Sequence, residues 1–481
     1  MQARLQAAAI PQSPLSGKNN DSCSALPSTS GTLRENRSPT PFQGYLTKQR
    51  LAEEPLPCPH ATLTPTQAMT LFGVYLENVA PILPILHTPS VHDLVLRACA
   101  ATEVLPLESA AVLWAVYLAA AISMTPPQVR AELGETQEAI VDWYQHMVER
   151  ALYQADFLSR PSLPLMQAAI LYLTCLLKWR EATTNDAASY VWMMTTVLFR
   201  LAQSLALHQD GESRGLSPYD TEMGRRAWWH LCLLDLHASD HQGTEPECLN
   251  IPFTTQVPSQ INDKCLSPAS AQLVTREMGF TDMSFLRMRC DILRTVYRQK
   301  HIAKRGRGCS PDQPCECAAQ YKVLLSGLQS QLRQEYLSHY HCDSTLPLSR
   351  ICIEAATMIP NLALLIRYPM RRHTDHLPPA TLDRFFEIAV ESIEHSRMVD
   401  TYDQGGKWAW FLRRSSTRRY TLTFVLLELC VRSSASPLVC RAWFLAQAVY
   451  QEWEIEKSTG NWRVPISLMQ YLRTKYEAQH K

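Results

Sequence analysis

Clustered cysteine, histidine and arginine are the residues through which this chain has chemistry to offer, and their spacing restricts it. Cys309, Cys315 and Cys317 lie close together, with His301, His339, His341 and Cys342 as conceivable partners. Tetrahedral zinc sites do not use a Cys-x5-Cys-x-Cys spacing, so an exposed Gly/Pro-rich loop is expected there and no metal or cofactor. Lys304, Arg305 and Arg307 form a short basic cluster of the kind that serves nuclear import or touches phosphate, although such clusters are more often simply solvated. Arg413-Arg414 and Arg418-Arg419 flank a helix start, where an anion is a natural ligand. The sequence contains no Asp-Asp-x-x-Asp run for magnesium, no His-Glu-x-x-His, no Gly-x-Ser-x-Gly elbow and no phosphate-cradling glycine loop. No catalytic residues are therefore assigned, and the chain is not expected to be an enzyme.

The elements that must position these residues follow from composition and periodicity. Of the 481 residues, 46% are hydrophobic and 19% charged, an ordinary globular balance. Lys+Arg 46 against Asp+Glu 45 leaves a net charge of +1, so no global field draws the chain to nucleic acid or an acidic membrane. The 15 cysteines are scattered through apolar stretches, as at Cys175, Cys232 and Cys430, and read as reduced core thiols. The N-terminal dozen residues are too weakly apolar for a secretory leader, so secretion is not expected. The longest apolar run, 110–122, is well short of the roughly 20 residues that span a bilayer and suits a buried helix.

Residues 1–64 are rich in Ser, Thr, Pro and Asn and lack apolar periodicity, so this stretch is expected to be a disordered arm. Order should begin at Thr64-Pro65-Thr66-Gln67, where Thr64 caps, Pro65 suits the first helical position and Gln67 closes a capping box. Similar starts occur at Ser90 with Asp93 and at Ser217-Pro218 with Asp220. Further helical periodicity runs over 107–123, 135–156, 163–181, 187–208, 218–240, 283–303, 316–337, 348–367, 379–402, 416–432, 437–457 and 464–477. Only 16 glycines occur, and alternating β-branched runs are absent. The expectation is an all-α, nonrepetitive multi-helix bundle over 65–481.

The most informative helix is 218–240. Met223, Ala227, Leu231, Leu234 and Ala238 form one apolar stripe, and Trp228, Trp229, Leu233 and Leu236 cover most of the remaining circumference. A helix apolar nearly all round belongs inside a bundle. Arg225, Arg226 and Asp235 must then be paired, since an isolated buried charge costs several kcal/mol, and a structural ion-pair network is expected.

Arg225-Arg226-Ala227-Trp228-Trp229-His230-Leu231, then Asp235, Ser239 and Gly243, then Pro258 and Ile261-Asn262-Asp263, occur in an order that resembles the fungal-specific transcription factor domain, the middle homology region of zinc-cluster regulators. Tyr75 to His87 is similar to that family's first helix and turn, and Ala155 to Leu158 and Ala202 to His208 match further phrases of it. The likeness covers residues 71–298 and departs at His237, Thr244-Glu245 and Lys264; beyond residue 300 it is only to a general helical character. The resemblance implies a nuclear transcription regulator, of a family that often governs biosynthetic gene clusters. Such proteins usually begin with six cysteines holding two zinc ions, but only Cys23 and Cys58 precede residue 65 here. Contact with DNA is thus expected only indirectly, through other transcription factors or coregulators in a homo- or heterodimer, or through a zinc cluster missing from this sequence. The rival readings are a helical interaction adaptor unrelated to transcription and an all-α enzyme.

Overall fold

A computed structural model describes residues 63–100, 104–180, 185–242, 244–269, 281–305, parts of 323–335, 379–402, 407–412, 416–432, 436–452 and 463–479. Among them the regular structure is α-helical, with three short 3-10 turns, a π-helical pair at 334–335 and no strand. The helices are α1 (Pro65–Asn78), α2 (Thr88–Ala100), α3 (Leu107–Ser123), α4 (Pro126–Leu133), α5 (Gln137–Gln154), α6 (Leu163–Arg180), α7 (Asn185–Ser204) and α8 (Pro218–Gln242), followed by α9 (Ser284–Arg305), α10 (Pro379–Tyr402), α11 (Ala409–Leu412), α12 (Ser416–Val431), α13 (Pro437–Glu452) and α14 (Arg463–Gln479). The all-α expectation holds. The N-terminal arm up to residue 62, the helix expected over 348–367, and Cys309, Cys315, Cys317, His339, His341 and Cys342 lie outside the described residues.

Local chemistry explains several helix starts. The Thr64 hydroxyl accepts from the Gln67 amide at 3.2 Å while the Gln67 side chain accepts from the Thr64 amide at 3.1 Å, closing the expected capping box of α1. At α8 the Asp220 amide donates to the Ser217 hydroxyl at 3.0 Å. The second helix begins at Thr88 rather than at Ser90, because His87 takes the position before it: its Nδ1 lies 2.8 Å from the Ser90 hydroxyl, and its carbonyl accepts the Val91 amide. The short helix α4 was not expected from periodicity. It carries the same start as α1, with the Thr125 amide donating to Gln128 at 2.9 Å, and ends at Gly134 in the left-handed region.

Packing places α3 at the centre of the larger core. Every residue from Ala110 to Ser123 is buried, as its unbroken apolar run anticipates, with α1, α5 and α6 against it. In turn α6 packs on α7 and α8, so that α8 lies within the same apolar cluster. A second cluster gathers α10, α12, α13 and α14 around Phe386, Leu422, Val425, Val449 and Leu468. The short α11 belongs to the first cluster: Trp408 and Phe411 are buried there, and the Trp410 indole donates to the Asn78 carbonyl at 3.3 Å.

Candidate functional site

The adjacent arginines of α8 turn to different partners. Arg225 holds Asp210 through two bonds, Nε to Oδ2 at 2.8 Å and Nη2 to Oδ1 at 2.7 Å, and reaches the exposed Glu212 at 3.1 Å. Arg226 is wholly buried and bridges Glu222, one turn back on α8, at 3.1 Å and Asp263 at 2.7 Å. Bidentate and doubly paired guanidinium groups of this kind are the geometry in which buried charge is tolerated.

The carboxylates also hold backbone. Residues 244–266 run beside α8 largely without regular structure, so their amides and carbonyls need partners from elsewhere. Asp235 accepts the Cys248 amide at 2.9 Å, Asp210 the Gln256 amide at 2.8 Å, and Glu222 the Ser259 amide at 2.9 Å. Trp229 donates its indole N–H to the Gln256 carbonyl at 2.9 Å. The order of these contacts runs the strap back along α8 toward its N-terminus. At the far end Asp263 accepts the amide and hydroxyl of Thr88 at 2.8 and 3.0 Å, and the ring of His87 bonds the carbonyls of Asp263 and Leu266, each at 3.0 Å. Three segments distant in sequence, 87–90, 210–212 and 248–266, are thereby tied to one helix.

Trp228 packs against Phe199 and Phe253 with ring centroids 5.7 and 5.6 Å away, and Trp229 meets Phe253 at 5.6 Å. Gly211 allows the Asp210 loop to close on α8, since a Cβ there would sit 2.7 Å from the Thr221 hydroxyl and 2.9 Å from its Cα.

Asp235 does not find the counter-charge expected of a buried ion-pair network. Its partners are the Cys248 amide and the Ser239 hydroxyl, the latter at 3.3 Å, with no cation opposite it among the described residues. Burial accordingly raises its carboxyl above the usual range, against the opposing hydrogen bonds. Asp210 and Asp263 go the other way. Burial pushes both up, but at Asp210 the Arg225 hydrogen bonds and the Gln256 amide, and at Asp263 the Arg226 charge and the Thr88 amide, more than offset it and leave both lowered. His230, whose Nδ1 bonds the Arg226 carbonyl at 2.8 Å, is pushed down to about 3 by burial and stays neutral.

Of the basic cluster, Lys304 and Arg305 end α9, while Arg307 lies outside the described residues. Sequence reasoning singled out the arginines but not Asp210, Glu222, Thr88 and His87 as their network. Glu222 was legible as the residue four before Arg226 on one helix face, whereas Asp210 had no local signal.

Among the described residues no group of acidic, histidine or cysteine side chains is arranged to hold a metal ion, and no helix is long and apolar enough to cross a membrane. Similar proteins include the pyriculol/pyriculariol biosynthesis cluster transcription factor 1 of Pyricularia oryzae, 28% identical over 79% of this chain and 50% of its own length. An aurofusarin cluster transcription factor of Gibberella zeae is 26% identical over 79% of this chain and 55% of its own length. The transcription factor vrtR2 of Penicillium aethiopicum is 27% identical over 85% of this chain and 49% of its own. The chain thus spans about half the length of the curated relatives it matches. Residues 73–251, from α1 through most of the α8 network, match the family model of the fungal specific transcription factor domain, which confirms for that segment the resemblance carried by Arg225 to Leu231 and Asp235.

Proposed function

We propose that this chain regulates transcription in the nucleus and controls a set of genes such as a secondary-metabolite cluster, without catalysing a reaction itself. The observation that carries this reading is the match of residues 73–251 to a transcription factor domain, together with relatives named for the biosynthesis clusters they serve. The geometry supports it in one respect. The polar groups gathered on α8 are consumed in holding the strap and the 87–90 turn, as in a structural clamp rather than a centre of reactive side chains.

Direct reading of DNA needs side chains held at base edges and several phosphates neutralised. The even charge balance and the lack of a six-cysteine pattern among these residues favour an indirect route. Other transcription factors or coregulators then bring the chain to promoters, through a homo- or heterodimer or through a zinc cluster outside this sequence. The test is deletion of the gene with transcript profiling, beside chromatin immunoprecipitation and a fluorescence anisotropy titration of the purified chain on duplex DNA at physiological salt. Expected are altered transcripts of a biosynthetic cluster, promoter occupancy, and no sequence-specific binding by the isolated chain. Specific DNA binding by the chain alone would overturn the indirect mechanism, and unchanged transcripts with no chromatin occupancy would overturn the regulatory reading.

A further inference from the structure

Phe444 is 69% exposed, and among the described residues no other phenylalanine, tyrosine or tryptophan stands out in solvent. It sits on α13, whose opposite face is buried in the second apolar cluster through Val439, Ala442, Leu445 and Val449. At about 100° per residue, Pro437, Cys440, Gln447, Ala448 and Gln451 lie within about 60° of Phe444. The outer strip of α13 is therefore free of charge along its length. A solvated helix face carries charge, whereas a charge-free strip with one protruding aromatic has the make-up of an interface centre.

The charges of α13 stand together on one edge. Arg441 and Glu452 both turn toward α10, where Arg441 pairs with Glu394 and Glu452 accepts from Arg397 Nε at 2.9 Å and Nη2 at 2.7 Å. These four side chains keep between 29% and 51% of their surface exposed. Glu452 ends α13 and lies about 16 Å beyond Arg441 along the axis. Their midpoint falls between Ala446 and Gln447, and the midpoint of Phe444 and the small Ala448, one turn later, falls at Ala446. A single two-fold axis through that point serves both pairs.

We propose that this strip of α13 binds the same strip of a second copy of the chain, as an antiparallel two-fold pair. Such a pair keeps like edges together and reverses their order. Arg441 of each copy then comes beside Glu452 of the other, and each Phe444 ring settles over the other copy's Ala448. A parallel pair would set the charged edge against the uncharged one and gain neither contact. The ion pairs within each chain stay in place; the opposite charge added at the rim fixes direction and register, while the uncharged strip supplies the affinity. A contact about 24 Å long covers less than the roughly 800 Å² per partner of a stable interface, so the dimer is weak and builds up only at high micromolar concentration. This narrows the homodimer of the proposed mechanism to one face; its failure leaves the regulatory reading standing, because transcript profiling decides that separately.

The test is sedimentation velocity of the full chain across the micromolar range, beside thermal melts and directed crosslinking. Expected is a monomer that shifts to a dimer with concentration, and a dimer at least about tenfold weaker in Phe444→Glu at an unchanged melting temperature, since the ring lies in solvent. In a Cys440→Ser background, Gln447→Cys meets its own copy beside the axis and should give a disulfide-linked dimer with diamide. Gln451→Cys, whose copies stand about 13 Å apart along the axis, should add nothing to that background. The absence of any dimer would overturn the proposal, as would a dimer indifferent to Phe444→Glu or equal crosslinking at the two positions. So would a Phe444→Glu chain that melts well below the parent, because a segment of the same chain would then cover the ring.

Discussion

Replacing Arg226 by Met tests whether the paired arginine motif holds the fold together. The substitution keeps an unbranched apolar stem in a site with no exposed surface but removes the cation that Glu222 and Asp263 share. Both acids retain amide donors, at Ser259 and Thr88 respectively, so each is left half-satisfied as a buried carboxylate without its counter-charge. Breaking one side of a buried pair costs about 3–5 kcal/mol. At about 2–4 °C per kcal/mol for a unit of 150–250 residues, the melting temperature should fall by about 6–20 °C. Circular dichroism melts and urea titrations give the assay, with the urea slope expected to stay unchanged because the surface exposed on unfolding is the same. Adding Asp263→Asn to Arg226→Met should recover part of the loss, since it removes the stranded carboxylate. A melting temperature within a degree of the parent for Arg226→Met would refute the clamp, as would no recovery in the double variant.

The remaining predictions concern the same network. Asp235→Ala strands the buried Cys248 amide and should cost about 1–3 kcal/mol, whereas Asp235→Asn keeps an acceptor and should melt close to the parent; equal losses for both in thermal melts would show that the carboxylate charge itself is required. Because the folded carboxyl of Asp235 is raised, its ionisation weakens the fold as pH rises through that value. Asp235→Asn should therefore gain on the parent toward neutral pH, and a parallel pH profile of the two melting temperatures would contradict this. Asp210 and Asp263 act with the opposite sign: their lowered values stabilise the fold fully above the unfolded pKa of about 3.9, and that stability is lost as pH falls below it. Acid titration followed by circular dichroism should show a steep loss there in the parent and a shallower one in Asp263→Asn. Gly211→Ala should cost about 1–3 kcal/mol by overpacking against Thr221, whose Cα cannot move aside as a flexible side chain would; an unchanged melting temperature would mean the Asp210 loop does not seat on α8 as described.

Read alone, the sequence determined the helical class, most helix positions and the likeness to a transcription factor domain. Those features depend on neighbours a few residues apart: the Thr64–Gln67 box, the apolar run that became the fully buried α3, and the Arg225 to Asp235 spacing on one helix. The same kind of signal stands at Thr125-Pro126-Pro127-Gln128, yet periodicity does not mark α4, which buries only Val129 and so carries no apolar stripe. Which group answers each charge is set by packing between distant segments. Asp210 lies 15 residues before Arg225, Asp263 lies 37 after Arg226, and Thr88 lies 175 before the Asp263 it binds. No local pattern encodes such pairings, because they exist only once the strap and the 87–90 turn have packed on α8. The same holds for Asp235: that it meets an amide and, among the described residues, no cation follows from where the strap crosses α8 and not from the residues beside it in the chain.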